Sequence, residues 1–372
     1  MKRLRNIISA RTLLLGISGI AAMVVGLVLY GITSVITGRL LTQQMAERWS
    51  DEKDASQISC FFSANAGTSV DSIEAFRRSL DASLVEASIL NDSPNADARL
   101  WADAYSADGR ITVKNDRATV SADAIGIGGD YFLFHPLKLL YGSYFSESDL
   151  NQDLCILDED AAWQLFGSNN VAGMIVEIGG IPHVVAGVIE REDGRLAKAA
   201  GLDSTLIYVS YDTLCGLGSS NGINHYELVM PNPVKGYALS YVEENIGVAE
   251  KEVEIIENST RYDLLKRFQV LGGFGIRSMN GKAIIYPYWE NIARGYDDIV
   301  AVLTLFALLF LMYPTVLVLV LIVYAWKHKT WTAKSVLRTC LDRWEQLMED
   351  VQARRLRKKK YKDRWDDEEE FK

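Results

Sequence analysis

The chain has 372 residues, of which 49% are hydrophobic and 23% charged, with a formal net charge of −9. That composition excludes a disordered polyelectrolyte and leaves enough apolar side chain for at least one sizeable core. The charge is segregated: residues 1–39 hold five Lys/Arg and no Asp/Glu, residues 40–298 hold 20 basic against 38 acidic, and residues 327–372 hold 14 against 10. An acidic middle of this size argues against a nucleic-acid partner.

A basic start, residues 1–11 with Lys2, Arg3, Arg5 and Arg11, precedes the uncharged stretch TLLLGISGIAAMVVGLVLYGITSVITG, residues 12–38. A bilayer-crossing helix needs about 20 apolar residues, so this stretch is expected to span. A cleaved signal peptide fits less well, because the apolar part exceeds the roughly 7–15 residues of an h-region and no A-x-A site precedes Arg39. A second uncharged stretch, residues 299–326, contains Pro314, which membrane helices tolerate, and is followed by Lys327, Lys329, Lys334 and Arg338. Basic flanks lie on the cytoplasmic side, so both termini are expected inside a bacterial cell membrane, with residues 39–298 outside.

In the external segment, a polar, helical lead over residues 40–56 gives way to a strand at residues 58–62 (ISCFF). Val70, Ile73, Phe76, Leu80, Leu84 and Val85 then recur at helical spacing over residues 70–89. Strands follow over residues 100–119, with Asp108-Gly109 read as a hairpin turn between AYSA and RITV, which makes a βαββ order. Residues 206–211 and 226–230 read as strands, residues 235–245 as a helix and residues 252–257 as a strand. The class is α+β. The glycine-rich block of residues 121–205 reads as an insert between two halves, about 57–120 and 206–285, of one subdomain. Tyr286, Tyr288, Trp289 and Tyr296 precede the second stretch and suggest an aromatic collar at the membrane interface.

The span LDEDAAWQLFGSNNVAGMIVEIGGIPHVVAGVIE, residues 157–190, concentrates acids, glycines and a histidine in the manner of a site. Each has a structural use instead. Asp158 is placed to cap a helix whose first turn carries Glu159 and Asp160, and Gly167 is placed to end it in the left-handed conformation. Neighbouring helical positions point about 100° apart, so the three acids do not converge on one reacting atom. GSNNVAG lacks the lysine of a phosphate loop and leads into a strand. Gly179-Gly180 reads as a hairpin turn, with His183 on the hairpin surface.

No H-E-x-x-H or C-x-x-C occurs in the sequence, and neither catalytic residues, metal ligands nor a cofactor are expected. Cys60, Cys155 and Cys215 lie in the external segment and Cys340 in the tail, and buried free thiols are the preferred reading of the external three. Asn91 and Asn258 sit in N-x-[ST] patterns of the kind that arise by chance. In the cytoplasmic tail, residues 327–372, Leu337, Leu341, Trp344, Met348 and Val351 alternate steps of four and three, the seam of a helix that docks on a partner or on its own copy. The basic run RRLRKKKYK is offset by the DDEEE that follows.

The succession GGDYFLFHPLKLLYGSYFSESDL, CILDEDAAWQLFG and VAGMIVEIGGIPHVVAGVIE resembles the MacB-like periplasmic core domain of MacB- and FtsX-type ABC transporter permeases. The resemblance is carried by Tyr131, Phe132, Gly142, Phe145, Asp149, Leu165, Phe166, Gly167, Gly173, Gly187 and Val188. It implies a strand bearing Tyr131-Phe132, a turn ending at Asp149, a helix ending at Gly167 and a hairpin, together with a porter-like subdomain interrupted by a smaller β-rich insert. It also implies a non-catalytic, permease-like part of an ABC-type export or mechanotransmission assembly, partnered by an ABC ATPase, other membrane subunits or its own copies. Such permeases carry three helices after the domain, where this sequence has one apolar stretch, and no P-loop occurs in it. A membrane-anchored sensor or adaptor for an envelope ligand is the alternative.

Overall fold

The structure, a computed structural model, describes residues 10–50, 54–89, 98–220, 222–274, 283–328, 341–349 and 351. Helix α1 (Ala10–Thr37) is followed by the short α2 (Met45–Trp49), strand β1 (Ala55–Phe62) and helix α3 (Val70–Glu86). A long hairpin, β2 (Ala102–Lys114) and β3 (Thr119–Gly129), leads to α4 (Tyr131–Phe134), β4 (Leu139–Gly142), β5 (Leu154–Asp158) and α5 (Glu159–Phe166). The hairpin β6 (Ile175–Ile178) and β7 (Ile181–Ile189) precedes α6 (Arg195–Ala199), β8 (Leu206–Ser210), α7 (Tyr211–Gly216), β9 (His225–Pro231) and α8 (Tyr237–Asn245). Strand β10 (Val253–Glu257), helix α9 (Leu264–Gly272) and the 40-residue α10 (Tyr288–Lys327) complete the order.

The chain forms two compact units, residues 26–308 and residues 1–25 with 309–372. In the first, ten strands make one mixed sheet in the order β10-β1-β9-β2-β3-β8-β5-β7-β4, with β6 pairing both β2 and β7. Most pairs are antiparallel, while β3–β8 and β5–β7 run parallel. Both faces are covered, and the strand period of two explains how. In β5, Cys155 and Leu157 point into one core and Ile156 into the other; in β8, Ile207 and Val209 face the first and Leu206 and Tyr208 the second.

Helices α3, α5, α7 and α8 close the first face, and α2, α4, α6 and the start of α10 close the second. Helix α3 shows why: Ile73, Phe76, Leu80 and Leu84 are each at most 3% exposed. At about 1.5–3 kcal/mol per buried large apolar side chain, that stripe outweighs any propensity difference along the helix. Ser69 caps its start by accepting from Ser72 N. Val85, counted in the same stripe from spacing alone, is 68% exposed.

Four local expectations are corrected. Asp108-Gly109 does not turn: β2 runs straight through it, paired with Ile125 and Ala124 of β3. The turn comes later, where Asn115 Oδ1 accepts from Arg117 N at 2.9 Å and from Ala118 N at 2.7 Å, an Asx-type turn. Tyr131-Phe132 lies in the helical turn α4 rather than in a strand, because β3 ends at Gly129 and Asp130 N donates to Asp103 O at 2.8 Å. His183 is 1% exposed, not on the surface, and its ring contacts Ile181 O at 3.0 Å and Thr213 Oγ1 at 3.3 Å. In the polar lead of residues 40–56, α2 covers only Met45–Trp49 and β1 already begins at Ala55.

In the unit of residues 1–25 and 309–372, Ser18 Oγ lies 2.9 Å from Tyr313 Oη, and a Cβ placed on Gly19 would meet Leu317 Cδ1 at 3.3 Å. A small residue at Gly19 lets α1 and α10 approach closely there. Both helices are long and apolar enough to cross a membrane, with only 11% and 6% of their most apolar windows buried. Residues 341–349 are helical.

Candidate functional site

After β10, a single 3-10 turn, Asn258–Thr260, carries the chain to Arg261, which is 8% exposed. Its guanidinium donates to two carboxylates of α10. Nη1 reaches Glu290 Oε2 at 2.7 Å and Nη2 reaches Glu290 Oε1 at 3.0 Å, while Nη2 and Nε reach Asp297 Oδ2 at 2.8 and 3.1 Å. Glu290 and Asp297 are two helical turns apart, so they stand on one face, and one planar fork spans both. Nη1 also donates to Gln43 Oε1 at 3.2 Å, from the turn after α1, and to Asn258 Oδ1 at 3.3 Å. One side chain thus ties together the segment after α1, the exit of the sheet and the root of α10.

Burial alone would lower the pKa of Arg261, but the Glu290 and Asp297 charges outweigh it and hold the group well above its ordinary value. Arg294 extends the cluster. It donates to Glu290 Oε1 at 2.7 Å and Glu254 Oε1 at 3.0 Å, and its guanidinium lies 3.7 Å from the centroid of the Tyr286 ring. Burial and the hydrogen bond to Glu254 push the Tyr286 phenol up to about 12.

A polar chain runs on from this cluster into the sheet. Asn258 Nδ2 donates to Ser59 Oγ at 2.7 Å, and Ser59 Oγ donates to Glu227 Oε1 at 3.1 Å. Glu227 Oε2 pairs with Nε2 of His135, whose ring sits 4.3 Å from Tyr131 and 4.5 Å from Trp289 by centroids. Each member is buried, so each bond is made where losing it would leave an unsatisfied group. Trp289 is 3% exposed and belongs to the second core, and Tyr288 hydrogen-bonds Tyr208 at 2.9 Å. The aromatic collar is corrected accordingly: α10 starts at Tyr288, so its first turns pack on the sheet, with Trp289 in the core, Tyr288 and Tyr296 packed against it and Tyr286 half-buried beside Arg294.

The acids of residues 158–160 form a separate place. Asp158 Oδ1 accepts from Ala161 N at 2.6 Å and Oδ2 from Leu206 N at 2.9 Å, and burial raises its carboxyl to about 6. Gly167 ends α5 at φ 70°, and Gly179 and Gly180 turn the β6–β7 hairpin at φ 60° and 85°. The capping roles read from the sequence are the ones observed. Among the described residues, no group of three or more His, Cys, Asp or Glu could hold a metal ion.

The model of the MacB-like periplasmic core domain family matches residues 12–243. The chain belongs to this family. A macrolide export ATP-binding/permease protein MacB of Chromobacterium violaceum is 30% identical over 106 residues, 28% of this chain and 16% of that protein. MacB 2 of Aeromonas hydrophila is 28% identical over 120 residues, 32% of this chain and 17% of that protein. The aligned part is therefore a small fraction of those relatives' length. Among solved structures, the extracellular domain of the noncanonic ABC-type transporter YknZ from Gram-positive bacteria aligns at 18% identity and a TM-score of 0.36, over 54% of this chain and 99% of that one. The periplasmic region of MacB from Actinobacillus actinomycetemcomitans aligns at 20% identity and a TM-score of 0.36, over 55% and 89%.

In this MacB-like domain the residues that carried the resemblance fall into three groups. Phe132 meets Tyr131 at 5.4 Å and Phe145 at 5.8 Å between ring centroids, and Asp149 closes the following turn by accepting from Ser146 N at 2.8 Å. Gly142 pairs with Gly187 across β4 and β7, beside the fully buried Val188. Leu165, Phe166 and Gly167 end α5, and Gly173 N donates to Val185 O at 2.8 Å at the start of the hairpin. Of these, Tyr131 packs on His135, the end of the polar chain that leads from Arg261. In the tail, Leu341, Trp344, Met348 and Val351 are exposed, while Leu337 lies outside the described residues.

Cys60 and Cys155 are buried free thiols, Cys155 being pushed up to about 12 by burial, and Cys215 is half-buried. Cys340 lies outside the described residues, as does Asn91. Asn258 is 2% exposed and engaged by Ser59 and Arg261, so its N-x-[ST] pattern is not an accessible glycan acceptor. Sequence reading missed Arg261, Glu290 and Asp297. The available signal was two acids seven residues apart immediately before an uncharged stretch, where charge is costly without a partner.

Proposed function

We propose that the chain is a non-catalytic, permease-like membrane component of an ABC-type export or mechanotransmission assembly, working with an ATPase on another subunit. One observation carries this reading. Arg261 holds Glu290 and Asp297 of α10, and α10 is one helix from the buried Trp289 to Lys327. A displacement of α10 along or about its axis would have to move the sheet with it or break a buried ion cluster. Breaking such a cluster costs about 3–5 kcal/mol when one partner is lost, so the joint favours concerted motion.

In this reading α1 and α10 both cross the membrane, the termini lie in the cytoplasm and the MacB-like domain lies outside, in keeping with the basic flanks. Two helices enclose little of a conduit, so the working unit contains further copies or other membrane subunits. The seam of Leu337, Leu341, Trp344, Met348 and Val351 is the surface offered to them inside the cell. Affinity purification of the full chain in mild detergent is expected to recover an ABC ATPase or another membrane subunit, and Trp344→Ala with Met348→Ala to weaken that recovery. Recovery of the chain alone, free of any ATPase or membrane partner, would sink the proposal.

A further inference from the structure

Helix α9 is nine residues long, has no buried residue and sits between the Arg261 cluster and α10 in the sequence. Its sequence, LLKRFQVLG, places Leu264, Leu265, Phe268 and Leu271 within about 120° of one face at 100° per residue. Leu264 is 51%, Leu265 77% and Phe268 42% exposed, and Phe274 just beyond is 57% exposed. The other face carries Lys266, Gln269 and Val270, which border a groove of about 470 Å³ shared with β10 and with Glu290 and Asp297. The helix therefore turns its polar side toward the domain and its apolar side away from it.

A second observation fixes its level. Arg267 Nη1 donates to Thr304 Oγ1 of α10 at 3.0 Å, and Arg267 Nε to Tyr262 O at 2.8 Å. Thr304 lies five residues inside the uncharged stretch that begins at Ile299. At 1.5 Å per residue this is about 7–8 Å along α10, which falls in the roughly 5–10 Å depth at which in-plane amphipathic helices seat their apolar face. At the same level α10 presents Ile299 at 42% and Phe306 at 48% exposure, so the apolar face of α9 continues an apolar surface of the span.

We propose that α9 is an in-plane membrane helix whose Leu264, Leu265, Phe268 and Leu271 insert among the lipids of the outer leaflet, beside α10. The bilayer is the occupant because the face is level with the span, Arg267 is held there by Thr304 and Tyr262, and Lys266 on the opposite side carries its charged head out of the apolar layer along its stem. The inference rests on α10 crossing the membrane. Its consequence is a second grip on the bilayer: a tilt of α10 is passed to the sheet through Arg261 and resisted at the surface through α9.

The test uses the full chain carrying Cys215→Ser and Cys340→Ser, in nanodiscs of phosphatidylcholine and phosphatidylglycerol. A nitroxide is placed in turn at Phe268→Cys, Leu265→Cys, Lys266→Cys and Val318→Cys, and collision rates with oxygen and with a neutral nickel chelate are compared. The labels at 268, 265 and 318 are expected to favour oxygen over nickel several-fold more than the label at 266. Nickel access at 268 and 265 equal to that at 266, with 318 still oxygen-favoured, overturns the lipid contact alone. Nickel access at 318 overturns the membrane reading and this inference with it. Labels at 268 and 265 that are immobilised and reached by neither reagent would mean that protein, a second copy or another subunit, covers the face instead.

Discussion

The acids at residues 158–160 and the acids at the root of α10 each face an arginine, yet they differ in how they are assembled. Asp158, Glu159 and Asp160 are consecutive and open α5: Asp158 caps it and also accepts from Leu206 N, Arg191 N donates to Glu159 Oε1 at 3.2 Å, and the Arg191 guanidinium pairs with a 47% exposed Asp160 side chain. Glu290 and Asp297 are brought to Arg261 by the fold, together with Gln43, which is 218 residues away in sequence. Their side chains are 1% and 4% exposed, and that of Arg261 is 6% exposed. The contiguous acids open a helix and meet a partly exposed arginine, whereas the dispersed acids are buried around the arginine that joins α10 to the sheet.

The largest effect expected from this contrast is at Arg261. Arg261→Ala removes the cation that two buried carboxylates share, with Arg294 still paired to Glu290, a loss of about 3–5 kcal/mol. It should appear as a large drop in the thermal midpoint of the full chain in detergent, with hydrogen exchange rising first at residues 288–298. Arg261→Lys keeps a charge but not the planar fork, so a smaller loss is expected, of about 1–3 kcal/mol. If Arg261→Ala proved as stable as the parent chain, the root would be a surface ornament and the coupling reading would fail with it.

The two places were not equally legible in the sequence. Residues 157–190 could be read almost residue by residue, because an N-cap acid, a left-handed glycine and a two-glycine hairpin each act within a few positions of themselves. The same held for most of the buried stripe of α3, with Val85 the exception, and for the strand at β8. What failed was long-range: Asp108-Gly109 looked like a turn until the pairing of β2 with β3 carried the strand through it. Likewise Tyr288 and Trp289 looked like interface aromatics until α10 proved to start inside the second core. Arg261 carried no local mark at all, since its partners lie on elements that only the sheet brings together.

A middle-sized effect is expected at Asp158 and has a definite sign. Its carboxyl is raised from 3.8 to about 6 by burial, so the folded chain takes up a proton more readily than the unfolded one. The stability this proton contributes is fully present below about pH 4 and is lost as pH rises through about 6, a change on the order of 2–3 kcal/mol. Asp158→Asn keeps the cap acceptor but cannot titrate, so the parent chain should weaken relative to this variant between pH 4 and 6. Denaturant titrations of both across that interval give the comparison, and parallel curves would remove the burial argument for Asp158.

The smallest effect belongs to Asp160, and it bears most directly on why clustered acids should not be taken for a site. Its partner Arg191 also donates through Nε to Leu202 O at 2.7 Å, so the guanidinium stays held when the carboxylate goes. The pair is half in water, where such bridges contribute about 0–1 kcal/mol and fade with salt. Asp160→Asn should therefore shift the thermal midpoint by a degree or two at most, about 0.5 kcal/mol, with the difference gone at roughly 1 M salt, where the Debye length is near 3 Å. The buried Arg261 cluster is screened far less, so the loss from Arg261→Ala should persist at the same salt. Asp160→Asn matching Arg261→Ala in size, or holding its effect at high salt, would mean that the consecutive acids carry a structural load comparable to the root, and the distinction between them would collapse.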